Sequence, residues 1–258
     1  MTSVFSSVIS CVRRVLRLAG LQVIRANSAD APPSDLNEMD RQCIREARPY
    51  SLATSHRLAS MLDAVDYIHR AGIAGAIVEC GVWRGGNMIL AAKALQCRGS
   101  VERDLYLYDT FQGMSAPTDA DKDYSGKAAA ELLAQEEIGQ GFWCEASLED
   151  VSQNMRATGY PEDHVHYVKG MVEETIPQTL PQEIALLRLD TDWYESTYHE
   201  LEHLFPRLRP GGVLIIDDYG HWQGAKRAVD EYFQKLGGLP NLARIDYTCR
   251  MMVKSMNE

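Results

Sequence analysis

Short apolar runs alternate along this chain with stretches whose apolar residues recur every three or four positions. That is the mark of buried strands alternating with the helices that cover them. Leu58, Met61, Leu62, Val65 and Ile68 place one apolar face on a helix over 56–69, and Ala76-Ile77-Val78-Glu79-Cys80 follows as a short buried strand. Met88 to Gln96 reads as the next helix, and Leu105-Tyr106-Leu107-Tyr108 as a second strand that stops at Asp109. The polar helical stretch 145–158 leads to strands at 165–168 and 185–189, a helix at 197–208, a strand at 213–216 and a helix at 226–236. Leu242 to Tyr247 and Met251 to Lys254 predict a closing antiparallel hairpin at the sheet edge. The pattern predicts an α/β fold that opens with the βαβ unit of a nucleotide-binding sheet.

The chain starts differently. Val4, Phe5, Val8, Ile9, Val12, Val15, Leu16 and Leu18 recur at helical spacing, with Arg13, Arg14 and Arg17 set among them. This run is too short and too charged to span a bilayer, and its arginines lie inside the run rather than before it as in a signal peptide. It predicts an amphipathic helix that packs on the core or on a second subunit, with a membrane surface as the alternative. Residues 28–34, with Ala31-Pro32-Pro33, read as its linker. The predicted organisation is an N-terminal helix and linker over 1–45 and a catalytic domain over 46–258.

Composition narrows the choice of partner. With 258 residues, 45% hydrophobic and 24% charged, the chain can bury one large core. A net charge of −10 and the lack of a Lys/Arg-rich run argue against nucleic acid. The six cysteines show neither C-x-x-C pairing nor the density of a secreted scaffold, which fits reduced thiols in a cytoplasm.

The chemistry concentrates at strand ends. Leu187-Arg188-Leu189 runs into Asp190-Thr191-Asp192, and Leu214-Ile215-Ile216 into Asp217-Asp218. Strands of an open α/β sheet stop at the ligand crevice, so Asp190, Asp217 and Asp218 can meet there as hard oxygen ligands for a divalent cation. After the first strand, Gly81-Val82-Trp83-Arg84-Gly85-Gly86 forms a glycine turn, though its spacing differs from the G-x-G-x-x-G fingerprint. Asp109, at the end of the next strand, stands where a carboxylate can take both ribose hydroxyls of a nucleoside, or serve as a turn residue. Glu79 needs a cation, whether a ligand ammonium or an arginine such as Arg84.

Four blocks carry a resemblance: Val78 to Gly86, Tyr108 to Met114, Leu187 to Thr197 and Gly211 to Tyr219. In this order they are similar to the macrocin O-methyltransferase family, over about 48–254. The resemblance implies a class I methyltransferase sheet of seven strands, the last antiparallel, and an S-adenosylmethionine- and Mg2+-dependent O-methyltransferase. Its acceptor is a sugar hydroxyl on a glycosylated small molecule such as a macrolide, and a homo-oligomer is the expected assembly. Carried over, Glu79 and Gly81 line the methionine part of the cofactor, Asp109 the ribose, and Gly170, Met171 and Val172 the adenine. Thr54-Ser55-His56-Arg57 matches a Thr-Ser-x-Arg pattern bordering the cofactor, which adds Ser55. Asp190, Asp217 and Asp218 correspond to the metal ligands. Relatives commonly read Leu-Asp-Gly-Asp-Leu/Met-Tyr where this chain has Thr191 and Trp193, a change on the acceptor side.

Methyl transfer then needs a base. Asp190 is the first candidate, followed by Asp192 and His221. The segment 112–141 lacks a strand pattern and reads as a lid, with a short helix over 128–137 and with Tyr124, Phe142 and Trp143 as contacts for a hydrophobic aglycone. His199-Glu200-Leu201-Glu202-His203 spells H-E-x-x-H, but Tyr198, Leu201, Leu204, Phe205 and Leu208 mark the helix's buried face, which turns the histidines away from the strand ends. Alternatives are a catechol-type phenol O-methyltransferase, a glycosyltransferase using Asp190-Thr191-Asp192 as a D-x-D site, and a noncatalytic scaffold.

Overall fold

The computed structural model describes residues 31–135 and 144–255. The expected N-terminal helix, the start of its linker, and Phe142 and Trp143 lie outside the described residues. The strands are β1 Ala76–Cys80, β2 Leu105–Asp109, β3 Val165–Lys169, β4 Ile184–Leu189, β5 Leu208–Ile216, β6 Ala243–Arg244 and β7 Arg250–Val253. They form one sheet in the order β3-β2-β1-β4-β5-β7-β6. β1 to β5 are parallel, and β7 enters antiparallel between β5 and β6. Chain order reverses between β1 and β4, and a crevice opens beyond the strand ends at such a point.

Side-chain alternation divides the core into two layers. Ile77, Leu107, Leu186 and Ile215 point to one face of the sheet. There they meet α1 Glu38–Ala47, α2 Ser55–Arg70, α3 Gly86–Cys97 and α5 Leu148–Arg156. Val78, Leu187, Leu189, Leu214 and Ile216 point to the other face, against α7 Tyr194–Leu204 and α8 Gln223–Lys235. Two short helices, α4 Ala129–Gln135 and α6 Val172–Thr175, sit in the connections. Because both faces are covered, the central strands read as continuous apolar runs.

Three expectations change. α1 escapes the sequence reading because only Met39, Cys43, Ile44 and Ala47 give it an apolar side. Cys43, Ile44 and Ala47 are nevertheless core, and Asn37 caps the helix through the Asp40 amide at 2.9 Å. The expected boundary at residue 46 therefore falls inside a packed helix. α7 ends at Leu204 rather than 208, since Phe205-Pro206-Arg207 tightens into a 3-10 turn and β5 begins at Leu208. The first hairpin strand shortens from 242–247 to Ala243–Arg244.

Candidate active site

The glycine turn is built for chain against chain. A Cβ on Gly81 (φ 79°) would stand 2.0 Å from the Asp190 carbonyl oxygen, so glycine lets the ends of β1 and β4 approach. At Gly86 a Cβ would stand 2.5 Å from both the Ser51 Cβ and the Tyr50 carbonyl oxygen, so glycine there admits the segment entering α2. Asp109 closes the turn from β2: its Oδ2 accepts the Val82 and Trp83 amides at 2.8 and 3.2 Å, and its Oδ1 accepts the Phe111 amide at 2.7 Å. Burial pushes the Asp109 carboxyl up against the pull of these amides. The turn-residue role foreseen for Asp109 is thus filled, and the residue also lines the cavity.

The acids gather as the strand ends require. One ligand atom each from Asp190, Asp217 and Asp218 lies within 4.8 Å of the others. Arg188, 2% exposed, sits beneath them and donates to Glu79 at 2.7 Å, to Asp190 at 2.6 Å and to Asp217. Arg57, from α2, donates to Asp217 and, at 2.6 Å, to Asp246 in the hairpin. Glu79 therefore finds Arg188; the expected partner Arg84 pairs with Asp150 instead, at 2.8 Å. Arg188 and Arg57 were missed as site residues, although the first lies within the Leu187–Asp192 block and the second within the Thr54–Arg57 pattern.

Of the five carboxyls here, Glu79, Asp190 and Asp217 pair with Arg188 or Arg57, and Asp192 and Asp218 pair with neither. Burial pushes Glu79 up to about 8 despite Arg188. It also raises Asp190, Asp192 and Asp218, reinforced by repulsion among the acids themselves. Asp192 accepts the Trp222 indole N–H at 2.8 Å. A clustered set of hard oxygens with excess negative charge fits a divalent cation.

These residues line one cavity of about 490 Å³, within the usual range for a small-molecule site. Gly81, Asp109, Gly170, Met171 and Val172 line one part of it, and Asp190, Asp192, Asp217, Asp218 and His221 line another. Ser55 and Glu79 are not on its wall: each is buried, and Glu79 is covered by Arg188 and Asn87. Gly170 (φ 142°) leaves β3 in a conformation that suits glycine, and a Cβ there would crowd Thr175.

Residues 112–128 cross the acid end as a pinned strap. Buried Asp121 accepts the Tyr194 amide at 2.8 Å, supplying the cap that α7 lacks at Trp193, and its other oxygen accepts the Thr118 amide. Trp193 donates its indole N–H to the Ser115 carbonyl at 3.0 Å. The expected short helix is present as α4. Tyr124, 69% exposed, packs on His221, and the Tyr247 hydroxyl lies 3.1 Å from His221 Nδ1. The H-E-x-x-H histidines do turn from the strand ends, with ring nitrogens on the Ile176 and His199 carbonyl oxygens. Their glutamate does not: Glu200 is wholly buried against the acid loop.

Comparison with known proteins decides the family. The macrocin-O-methyltransferase (TylF) model matches residues 16–254. The chain belongs to this family. A 4'-O-methyltransferase of 8-demethyl-8-(2,3-dimethoxy-alpha-L-rhamnosyl)-tetracenomycin-C from Streptomyces olivaceus is 35% identical, over 74% of this chain and 70% of that one. The mycinamicin III 3''-O-methyltransferase of Micromonospora griseorubida is 33% identical, over 74% and 72%. Among solved structures, the O-methyltransferase NovP superposes with a TM-score of 0.70 at 27% identity, covering 88% of this chain and 92% of that one. This member of the macrocin O-methyltransferase family is thus a methyltransferase with the seven-stranded sheet of its relatives. A D-x-D glycosyltransferase is excluded by the family, and no helix among the described residues is long and apolar enough to cross a membrane.

Proposed function

We propose that this macrocin-type enzyme transfers a methyl group from S-adenosylmethionine to a sugar hydroxyl of a glycosylated natural product, with a divalent cation, Mg2+ first, held by Asp190, Asp217 and Asp218. The observation that carries the reading is that this acid triad opens into the same cavity as the glycine turn and Asp109. The relatives from Streptomyces olivaceus and Micromonospora griseorubida, named as O-methyltransferases of a rhamnosyl compound and of mycinamicin III, support a glycoside acceptor.

When bound, the sulfonium supplies an activated methyl with a neutral thioether leaving group, and the cation lowers the pKa of a coordinated hydroxyl. The protein's own residues must align the hydroxyl, take its proton and keep water out. Asp190 ranks first as base on position, but its Oδ2 accepts from Arg188. Asp192 pairs with no lysine or arginine among the described residues and is held by the Trp222 indole N–H, so we assign the base to Asp192. Asp192 would take the hydroxyl proton as the acceptor oxygen receives the methyl group, with the C–S electron pair left on the thioether. Trp222 fixes Asp192, Trp193 holds the strap, and the strap shields this end of the cavity. Gly170, Met171 and Val172 bound the adenine end, while Tyr124, His221 and Tyr247 flank the mouth as the contact surface for an aglycone.

The test is calorimetric titration with S-adenosylmethionine and S-adenosylhomocysteine, with and without Mg2+, followed by methylation of α-L-rhamnosides. Expected are cofactor binding by the wild type, and Mg2+-dependent turnover lost in Asp190→Asn and Asp218→Asn. Failure of the folded wild type to bind either cofactor form would overturn the reading. Asp109→Asn is a better probe than Asp109→Ala, which would also release three turn amides.

A further inference from the structure

The glutamate of the H-E-x-x-H stretch has no zinc to serve, yet it is among the most deeply buried acids of the protein. Glu200 is 0% exposed and pairs with no lysine or arginine among the described residues. Its Oε1 accepts the Thr191 hydroxyl at 3.0 Å, its Oε2 has no hydrogen-bond partner, and the Cys80 thiol at the end of β1 lies against the same carboxyl. Burying an acid with one oxygen unsatisfied carries a desolvation cost that an apolar residue of the same volume would not. Packing alone therefore does not account for an acid at this position.

What Glu200 touches explains it. Thr191 lies between Asp190 and Asp192, which must turn their carboxylates into one cavity although only one residue separates them. That demand leaves Asp192 in the left-handed region at φ 67°, which a residue other than glycine holds only when its surroundings enforce it. The backbone fixes part of the loop: the Asp190 amide donates to the Cys80 carbonyl at 2.9 Å, and the Trp193 amide to the Thr191 carbonyl at 2.8 Å. Arg188 holds the Asp190 carboxylate and Trp222 that of Asp192, while Thr191's side chain anchors the residue between them to Glu200.

We propose that Glu200 is a positioning residue which, through the Thr191 hydroxyl, holds the Asp190–Asp192 loop in the conformation that presents both carboxylates to the cavity. The inference rests on the reading of Asp190, Asp217 and Asp218 as a divalent-cation site. Glu200 touches neither cofactor nor acceptor and acts only through Thr191.

The experiment measures Mn2+ affinity by water-proton relaxation on the full chain, with S-adenosylhomocysteine affinity measured in parallel. Thr191→Val keeps the shape and removes the donor. It should weaken Mn2+ binding by about 10- to 100-fold, the usual effect of losing an outer partner of a metal ligand, while S-adenosylhomocysteine affinity holds. Thr191→Ser keeps the donor and Glu200→Gln keeps an acceptor, so both should bind Mn2+ close to wild type. The Thr191→Val/Glu200→Gln double variant should be no weaker than Thr191→Val alone. Wild-type Mn2+ affinity in folded Thr191→Val, or in Thr191→Ala should the valine variant not fold, would overturn the inference. A lowered melting temperature with unchanged Mn2+ affinity would reduce Glu200 to a packing residue. Absence of Mn2+ binding by the wild type would instead bring down the metal reading itself, and this inference with it.

Discussion

Trp222 donates its indole N–H to Asp192 at 2.8 Å, joining the start of α8 to the loop after β4. Trp222→Phe removes that donor and keeps an aromatic ring. A hydrogen bond to a charged group contributes roughly 1.5–3 kcal/mol, so kcat should fall by about 10- to 100-fold, with S-adenosylhomocysteine affinity unchanged. Single-turnover methylation kinetics check this, and an undiminished rate would separate Trp222 and its carboxylate from proton transfer.

Arg188 holds three carboxylates at once, Glu79, Asp190 and Asp217. Arg188→Met leaves Glu79 buried without its cation and Asp217 with Arg57 alone, which should cost about 3–5 kcal/mol. Added Mn2+ should restore more stability to this variant than it adds to the wild type, because it replaces missing charge. Urea unfolding with and without Mn2+ measures both quantities.

Gly81→Ala must place a methyl against the Asp190 carbonyl at a positive φ. The strain alone is about 1–3 kcal/mol, and relief of the clash requires β1 and β4 to part at their ends. Both stability and S-adenosylhomocysteine affinity should fall. Gly72→Ala, also at positive φ but with nothing within 4 Å, should show only the smaller backbone penalty in the same unfolding assay.

Asp121 pins the strap to α7 and makes Gly224 obligatory, since a Cβ there would stand 2.2 Å from Asp121 Oδ1. Asp121→Ala should release residues 112–128 without unfolding the sheet. Limited trypsin digestion reads this out as faster cleavage after Lys122 and Lys127, with near-normal thermal unfolding of the remainder.

At the opposite end of the sheet, Asp104 Oδ1 lies 2.9 Å from His164 Nδ1 and 3.0 Å from His166 Nε2. Burial pushes this carboxyl up, but the two histidine hydrogen bonds outweigh it and hold it below the usual range. A carboxyl depressed on folding contributes stability above its unfolded pKa of about 3.9, and loses it as pH falls through the folded value. The stability difference between wild type and Asp104→Asn should therefore be full at about pH 5 and shrink towards about pH 2. Urea titrations across that range decide it, and a constant difference would contradict the assignment.

What the sequence determined alone is what neighbouring residues determine. Period-two and period-3.6 patterns laid out the strands and most helices, because each depends on which side of a local element is apolar. The acids at the ends of β4 and β5 were legible for the same reason: parallel buried strands all stop at one edge. Tertiary structure decided how the buried charge is compensated. Glu79 meets Arg188 and Asp217 meets Arg57 across large separations in the chain, and nothing local distinguishes Arg188 from Arg84 as a partner. Glu200 reads as one polar residue in a half-polar helix, and only the approach of Thr191 from a neighbouring loop reveals its place. A buried charge is tolerated only where its partners converge, and that convergence is set by packing of elements, not by the pattern within any of them.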